Sequence, residues 1–394
     1  MFGPVGQFDT GAIFESLDSF VRTHPEIAAA LVVALGALAL VVYAAIRFKR
    51  PMGTRFAEAL EGVDEIAVLM HPNPDPDAMA AAIGVACLAE QVGTTPTIQF
   101  AGQIRHQENR AFRTVLDLDL DPIDHVSDLA AEAVVLVDHN EPRGFAGAEG
   151  ILPYAVVDHH PGDGTGEAFT DVRTDYGACS SIVAEYFRDV GAKPVPPDMH
   201  ASEVNASYTV PSQVATGLVY GILTDTKHLT AGCSAADFDA AGFLFPGVNE
   251  DHLDRIANPE VSREVLEAKA RAIAGRDVRG PFAVADIGTI SNVDAIPQAA
   301  DELIQLEGVT AAVVCGERES NVYLSGRSRD DRVHMGRTLE SALDHYRGAS
   351  AGGHARMGGG QIIRPDAVTD GGNGESVPRD ELVEHIFEAL SGDI

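Results

Sequence analysis

Short apolar runs that stop at an acidic residue or a histidine constrain this chain more than any other feature. Residues 65–70 (EIAVLM), 133–137 (AVVLV) and 154–157 (YAVV) are each four to six residues long. They are too short for independent helices and lack the alternation of a half-exposed strand, so they predict strands buried on both faces. Helical stretches fall at 78–92, 179–190 and 213–223. This rhythm predicts a parallel α/β sheet with helices on both faces. In such sheets ligands bind beyond the carboxyl ends of the strands, and the residues singled out below are expected at those ends.

The first run leads into His71-Pro72-Asn73-Pro74-Asp75-Pro76-Asp77, the second into Asp138-His139-Asn140-Glu141, and the third into Asp158-His159-His160. A fourth apolar run, VYGIL, leads into Thr224-Asp225-Thr226. The three prolines predict a rigid extended loop and no helix before Ala78. A histidine and two carboxylates at i, i+4 and i+6 can converge on Mn²⁺, Mg²⁺, Co²⁺ or Zn²⁺. One Asp at the end of one run is ordinarily a helix cap or a turn residue. Four such ends offer six ligands for two adjacent cations, the set that two-metal phosphoryl hydrolysis uses.

These motifs (HxNPDxD, a downstream Asp, Asp-His-His and Thr-Asp-Thr) resemble those of the DHH phosphoesterases over residues 60–245. That family includes oligoribonuclease/pAp phosphatases, cyclic-di-AMP phosphodiesterases, RecJ-type exonucleases and family II pyrophosphatases. The resemblance implies that His71 and Asp75 hold one metal, that Asp77, His159 and Asp225 hold a second, and that Asp138 bridges them. It implies that Asp158 orients a histidine and that His160 faces substrate. Mn²⁺ is the expected ion, with Mg²⁺ or Co²⁺ as alternatives. His139 is expected either as a plain surface histidine, the preferred reading, or as a contact to metal or substrate.

Residues 262–273 predict a linking helix, after which a second α/β region begins at Phe282. Its strands outnumber its helices, so a smaller mixed sheet is expected, with a Gly/Asp-rich loop at 370–376 and a last helix at 379–390. Ser325-Gly326-Arg327-Ser328-Arg329 and Gly352-Gly353-His354-Ala355-Arg356-Met357-Gly358-Gly359 resemble the DHHA1 domain. The resemblance implies that Arg327, Gly352, Gly353 and His354, with Arg329 and Arg356, bind substrate in a cleft between the domains. Arg356-Met357 and Lys227-His228 depart from the family pattern where substrate would sit. The expected division is 1–50 N-terminal segment, 56–255 DHH domain, 256–280 linker and 281–394 DHHA1 domain.

Residues 27–46 (IAAALVVALGALALVVYAAI) carry no charge over twenty positions. At about 1.5 Å per residue this spans roughly 30 Å, the hydrocarbon thickness of a bilayer. Acidic residues precede the run and Arg47, Lys49, Arg50 and Arg55 follow it, which predicts a single transmembrane helix with the remainder cytoplasmic. Phe14, Leu17, Phe20 and Val21 suggest a short amphipathic helix before it.

The 394 residues hold 28 Lys+Arg against 59 Asp+Glu, a net charge of −31, and only four of the bases are Lys. That balance resembles proteins of salt-accumulating, halophilic organisms such as haloarchaea, where concentrated salt screens the surface carboxylates. It excludes a broad surface for long duplex nucleic acid. Four widely spaced cysteines make no CxxC pair and point to a reducing compartment. The expected protein is therefore a membrane-anchored two-metal phosphodiesterase. Its substrate would be a small nucleotide: a short oligonucleotide, a cyclic dinucleotide such as c-di-AMP, or pAp. A homodimer is compatible with the sequence. The alternatives are an inorganic pyrophosphatase-like enzyme, favoured by Asp138-His139-Asn140-Glu141, and a non-catalytic nucleotide-binding module.

Overall fold

A computed structural model describes residues 22–48, 50–104, 106–330, 332–363 and 378–392, with only the backbone described for Leu31 and residues 39–48. The expected helix around Phe14–Val21 and the loop 370–376 lie outside the described residues. The chain forms two compact units, residues 1–259 and 260–394.

In the first unit, helices α1 (Pro25–Phe48) and α2 (Met52–Leu60) precede β1 (Glu65–Met70), α3 (Pro76–Val92) and β2 (Thr95–Ala101). Then come α4 (Gln107–Val115), β3 (Asp121–Ile123), β4 (Val134–Val137), β5 (Ala155–Asp158), β6 (Phe169–Val172) and α5 (Cys179–Asp189). A small ladder of β7 (Lys193–Pro194) and β8 (Thr209–Val210) leads to α6 (Ser212–Asp225), α7 (Ala235–Leu244) and α8 (Glu250–Ala257). Six strands form an all-parallel sheet in the order β3-β2-β1-β4-β5-β6. The connections leave β1 in one direction and β4 in the other, so a crevice opens where these neighbours end. Met70 and Val137 are paired there, and His71 and Asp138 emerge side by side.

One sheet face carries Ile66, Val68, Met70, Val135, Val137 and Val157 against the core of α3, α5 and α6. The other face, with Ala67, Leu69, Val134, Leu136 and Val156, is covered by Leu129, Ala131, Phe145 and Ile151. This corrects the expectation of helices on both faces: irregular chain between β3 and β5 does the covering on the second side. Residues 27–46 lie within α1. Among the described residues no helix is long and apolar enough to cross a membrane, so the expected transmembrane segment gains no support from the fold.

The second unit is α9 (Arg263–Gly275), β9 (Asp277–Arg279), β10 (Phe282–Thr289), α10 (Ala295–Leu303), β11 (Ala311–Arg318) and β12 (Asn321–Ser328), then α11 (Met335–Leu343), β13 (Ala349–Gly353), β14 (Met357–Ile362) and α12 (Arg379–Ser391). Its sheet runs β13-β14-β12-β11-β10-β9, parallel only between β10 and β11. The helix read as a linker buries Val265, Ala268 and Ala272 against Ala283, Ala285, Ala299 and Ala312, so it belongs to this unit's core. The opposite face packs Leu339, Ala342, Leu382 and Ile386 against Val284 and Val313. The glycine-rich segment is a hairpin of β13 and β14. Gly353 holds φ +145°, and a Cβ there would lie 2.4 Å from the Met357 carbonyl oxygen, so only glycine fits the end of β13.

Candidate metal centre

The loop after β1 sets the first donors. Asp75 caps α3 by accepting the Ala78 amide through Oδ1 (3.0 Å), and Pro76 occupies the first helical position. The helix therefore starts two residues earlier than expected, because proline lacks only an amide that a first turn leaves unbonded anyway. Capping uses one Asp75 oxygen and leaves Oδ2 3.6 Å from His71 Nε2. Asp77, fully buried, accepts the first amides of α5: Cys179 N to Oδ2 at 2.7 Å and Ser180 N to Oδ1 at 2.9 Å. A helix N-terminus thereby fixes a carboxylate inside the core.

Asp138 stands at the tip of β4 with φ +61°, a left-handed conformation rare for residues other than glycine, Asn or Asp. Its side chain is almost fully buried. Oδ2 lies 3.5 Å from His71 Nε2, and Oδ1 lies 3.3 Å from His159 Nε2. His159 Nε2 is also 3.5 Å from Asp225 Oδ2 and 3.9 Å from Asp77 Oδ2. Asp225 ends helix α6, the helix expected over 213–223. Two clusters result, His71–Asp75–Asp138 and Asp77–His159–Asp225, each with donor atoms within 4.8 Å of one another. Asp138 joins His159 and His160 in a third such group.

Both Asp138 oxygens and His159 Nε2 are buried without a hydrogen-bond partner. Buried polar atoms in that state are costly. Burial would lower the His71 imidazole, yet Asp138 and Asp75 outweigh it and hold the group up at about 10. Burial likewise opposes His159, and the nearby carboxylates of Asp138 and Asp225 overcome that to hold it up at about 11. Burial raises Asp77, aided by the charges of Asp138 and Asp225. Burial also raises Asp225, with Asp75 and Asp138 adding to it and His159 opposing. Protons are drawn in because the cluster has more negative charge than its surroundings neutralise. Carboxylate oxygens and imidazole nitrogens with unpartnered lone pairs fit two hard or borderline divalent cations.

The remaining sequence-selected residues divide. Asp158, fully buried, accepts His159 N (2.7 Å), His160 N (3.1 Å) and His160 Nδ1 (2.9 Å) on Oδ1, and Asn140 Nδ2 (2.6 Å) on Oδ2. It therefore orients His160, whose side chain is 53% exposed. His139 is not on the surface as expected. It is 1% exposed, with Nδ1 2.9 Å from the Val137 carbonyl and Nε2 buried without a partner. In the second unit Arg327 is ion-paired with Asp301 and also donates to Ser325 Oγ at 2.9 Å. Arg329, Gly353, His354 and Arg356 are exposed and Gly352 is half-buried. Arg356 donates to the Arg329 carbonyl at 3.2 Å. Asn140, and the Cys179 and Ser180 amides, are site residues that the sequence reading missed.

Residues 65–222 match the family described as DHH family, N-terminal domain, and residues 279–371 match the DHHA1 domain. The chain carries DHH and DHHA1 domains. An uncharacterised protein of Methanocaldococcus jannaschii is 32% identical over 75% of this chain, and the match spans 58% of that relative's length. A probable manganese-dependent inorganic pyrophosphatase of Enterococcus faecalis is 28% identical over 66% of this chain and 80% of its own. A cyclic-di-AMP phosphodiesterase of Geobacillus thermodenitrificans is 26% identical over 70% of this chain and 42% of its own. The DHH–DHHA1 homologues of this chain are metal-dependent phosphoesterases, and the donor set described above suits divalent metals.

Proposed function

We propose that this DHH–DHHA1 chain is a two-metal phosphodiesterase that hydrolyses small nucleotides: short oligonucleotides, a cyclic dinucleotide such as c-di-AMP, or pAp. The observation that carries the reading is the divided environment of Asp138. Its Oδ2 serves one cluster and its Oδ1 the other, at 3.5 Å and 3.3 Å from the two imidazoles, the position of a bridging ligand. Divalent cations bound there, Mn²⁺ first, supply Lewis-acid activation of water and of the phosphoryl group. The rest is the chain's own work. His71, Asp75, Asp77, His159 and Asp225 hold their donor atoms in place through the caps and helix ends described above. Asp158 aims the exposed imidazole of His160, which stabilises or protonates the leaving oxygen. Arg327, Arg329, Arg356, His354 and the Gly352-Gly353 backbone meet phosphate, where forked permanent cations are the suitable donors in a chain of charge −31.

The second unit and the cyclic-di-AMP phosphodiesterase relative favour a nucleotide. The pyrophosphatase relative and the Asp138-His139-Asn140-Glu141 motif favour pyrophosphate, the runner-up. A membrane anchor through residues 27–46, with the catalytic units cytoplasmic, remains part of the proposal. In its favour, Val32, Val33, Leu35 and Leu38 are all more than half exposed on α1. A halophilic setting is proposed from composition alone. The test is a substrate panel on the whole chain in mild detergent, with Mn²⁺ and high KCl, comparing c-di-AMP, pApA, pAp, short RNA and pyrophosphate. Hydrolysis of a nucleotide is expected; turnover of pyrophosphate alone would sink the reading.

A further inference from the structure

We propose that Asp237 is a positioning residue for His159, acting through the Tyr176–Gly177 peptide bond, and that it thereby sets the affinity of one cation site but not the other. The inference rests on the two-cation reading above.

Asp237 is fully buried near the start of α7. Its carboxylate accepts from three residues on two separate parts of the fold. Ser234 N (2.6 Å) and Ser234 Oγ (3.0 Å) reach Oδ2, Ser181 Oγ (2.6 Å) reaches Oδ1, and Gly177 N lies 3.1 Å from both oxygens. Capping α7 requires only the Ser234 contacts. The bonds from Ser181 and Gly177 go beyond a cap and tie a second part of the fold to the same carboxylate.

The Gly177 amide and the Tyr176 carbonyl are two ends of one peptide group. At the carbonyl end, Tyr176 O lies 3.2 Å from His159 Nδ1. A carbonyl oxygen only accepts, so Nδ1 carries the proton and Nε2 is the atom left for a cation. A carboxylate on the amide end polarises the peptide, strengthens its carbonyl as an acceptor and holds the imidazole plane. This is the carboxylate–histidine support of metal sites with a peptide group inserted between the partners.

The peptide cannot move aside. A Cβ on Gly177 would sit 2.6 Å from Gly232 O, 2.7 Å from Thr226 Cγ2 and 2.9 Å from Asp237 Oδ2. It is packed against the segment that leaves Asp225. Ser181 follows directly on Cys179 and Ser180, whose amides hold Asp77. Asp237 therefore bonds the peptide that supports His159 and a residue next to the amides that hold Asp77, and Gly177 packs against the segment after Asp225. His159, Asp77 and Asp225 are the three members of one cluster. None of these bonds reaches the loop of His71 and Asp75.

The test titrates metal-free whole chain with Mn²⁺, following binding by calorimetry and by the loss of the free-ion resonance signal. Wild type is expected to bind two ions. Asp237→Asn should keep one site at wild-type affinity and weaken the other by about 10- to 100-fold. Ser181→Ala, a milder change, should weaken the same site less. Two wild-type affinities in folded Asp237→Asn would overturn the proposal while leaving the two-cation reading intact; fewer than two ions in wild type would overturn both. Should Asp237→Asn not fold, nitrogen-15 histidine spectra of Mg²⁺-loaded wild type decide. His159 protonated at Nδ1 supports the proposal, and protonation at Nε2 overturns it.

Discussion

Asp138 and His159 meet at 3.3 Å, Oδ1 to Nε2, and neither atom has a hydrogen-bond partner in the core around them. The second Asp138 oxygen stands in the same relation to His71 at 3.5 Å. One aspartate at the tip of one strand thus faces two imidazoles on different loops, which organises both clusters around it.

Replacing Asp138 by Asn tests charge without disturbing shape. Asn tolerates the left-handed φ of +61°, whereas Ala would add backbone strain to the lost ligand. Asp138→Asn should fold with a wild-type circular dichroism spectrum and lose at least about 10- to 100-fold in kcat, the range that even supporting residues of metal sites cost. Near-normal turnover in a steady-state assay would refute the bridging role.

Metal should stabilise the first unit. At a free concentration 100 times Kd, one bound ion adds about 2.7 kcal/mol. For a unit of this size each kcal/mol moves Tm by roughly 2–4 °C. Differential scanning fluorimetry should show a rise of about 5–10 °C for each ion bound on adding Mn²⁺ to metal-free protein, reversed by chelator.

Arg327 is held by Asp301, so a phosphate must compete for it. Asp301→Ala should lower KM for the nucleotide substrate severalfold by freeing the guanidinium, and Arg327→Ala should raise it. Initial-rate measurements that find both values unchanged would show that Arg327 does not meet substrate.

Burial pushes the thiols of Cys87 and Cys315 up from 9.0 to about 12. The unfolded chain ionises these thiols first, so their contribution is fully present below about 9 and is lost as pH rises toward 12. At pH 10 the loss is about 1.4 kcal/mol per thiol. Urea midpoints measured from pH 7 to 10.5 should fall less steeply in a Cys87→Ala/Cys315→Ala variant than in wild type.

Legibility followed physical cause. The strand at Glu65–Met70 was readable because burial on both faces leaves nothing but apolar side chains in its interior. Strand β2 was not: Thr95, Pro96, Thr97 and Gln99 mask it, and Gln99 is buried only because it bonds Asp128 O and Ala130 N. The six metal-donor candidates could be named because their spacing is local to short loops. Asp237 carried only the signal of a helix cap, Ser-Ala-Ala-Asp, since its contacts with Gly177 and Ser181 exist only after α5 and α7 pack. His139 looked like a surface residue because its burial depends on how the loops after β1 and β4 settle. No composition or period announces the left-handed run Lys227-His228-Leu229 beside Asp225.

The most direct test of the central claim is the number of Mn²⁺ ions bound per metal-free chain, counted by calorimetry for wild type and for Asp138→Asn. Two ions in wild type, with both sites weakened together in the variant, is the predicted result. A single ion in wild type, or two ions bound as tightly by the variant, would contradict it.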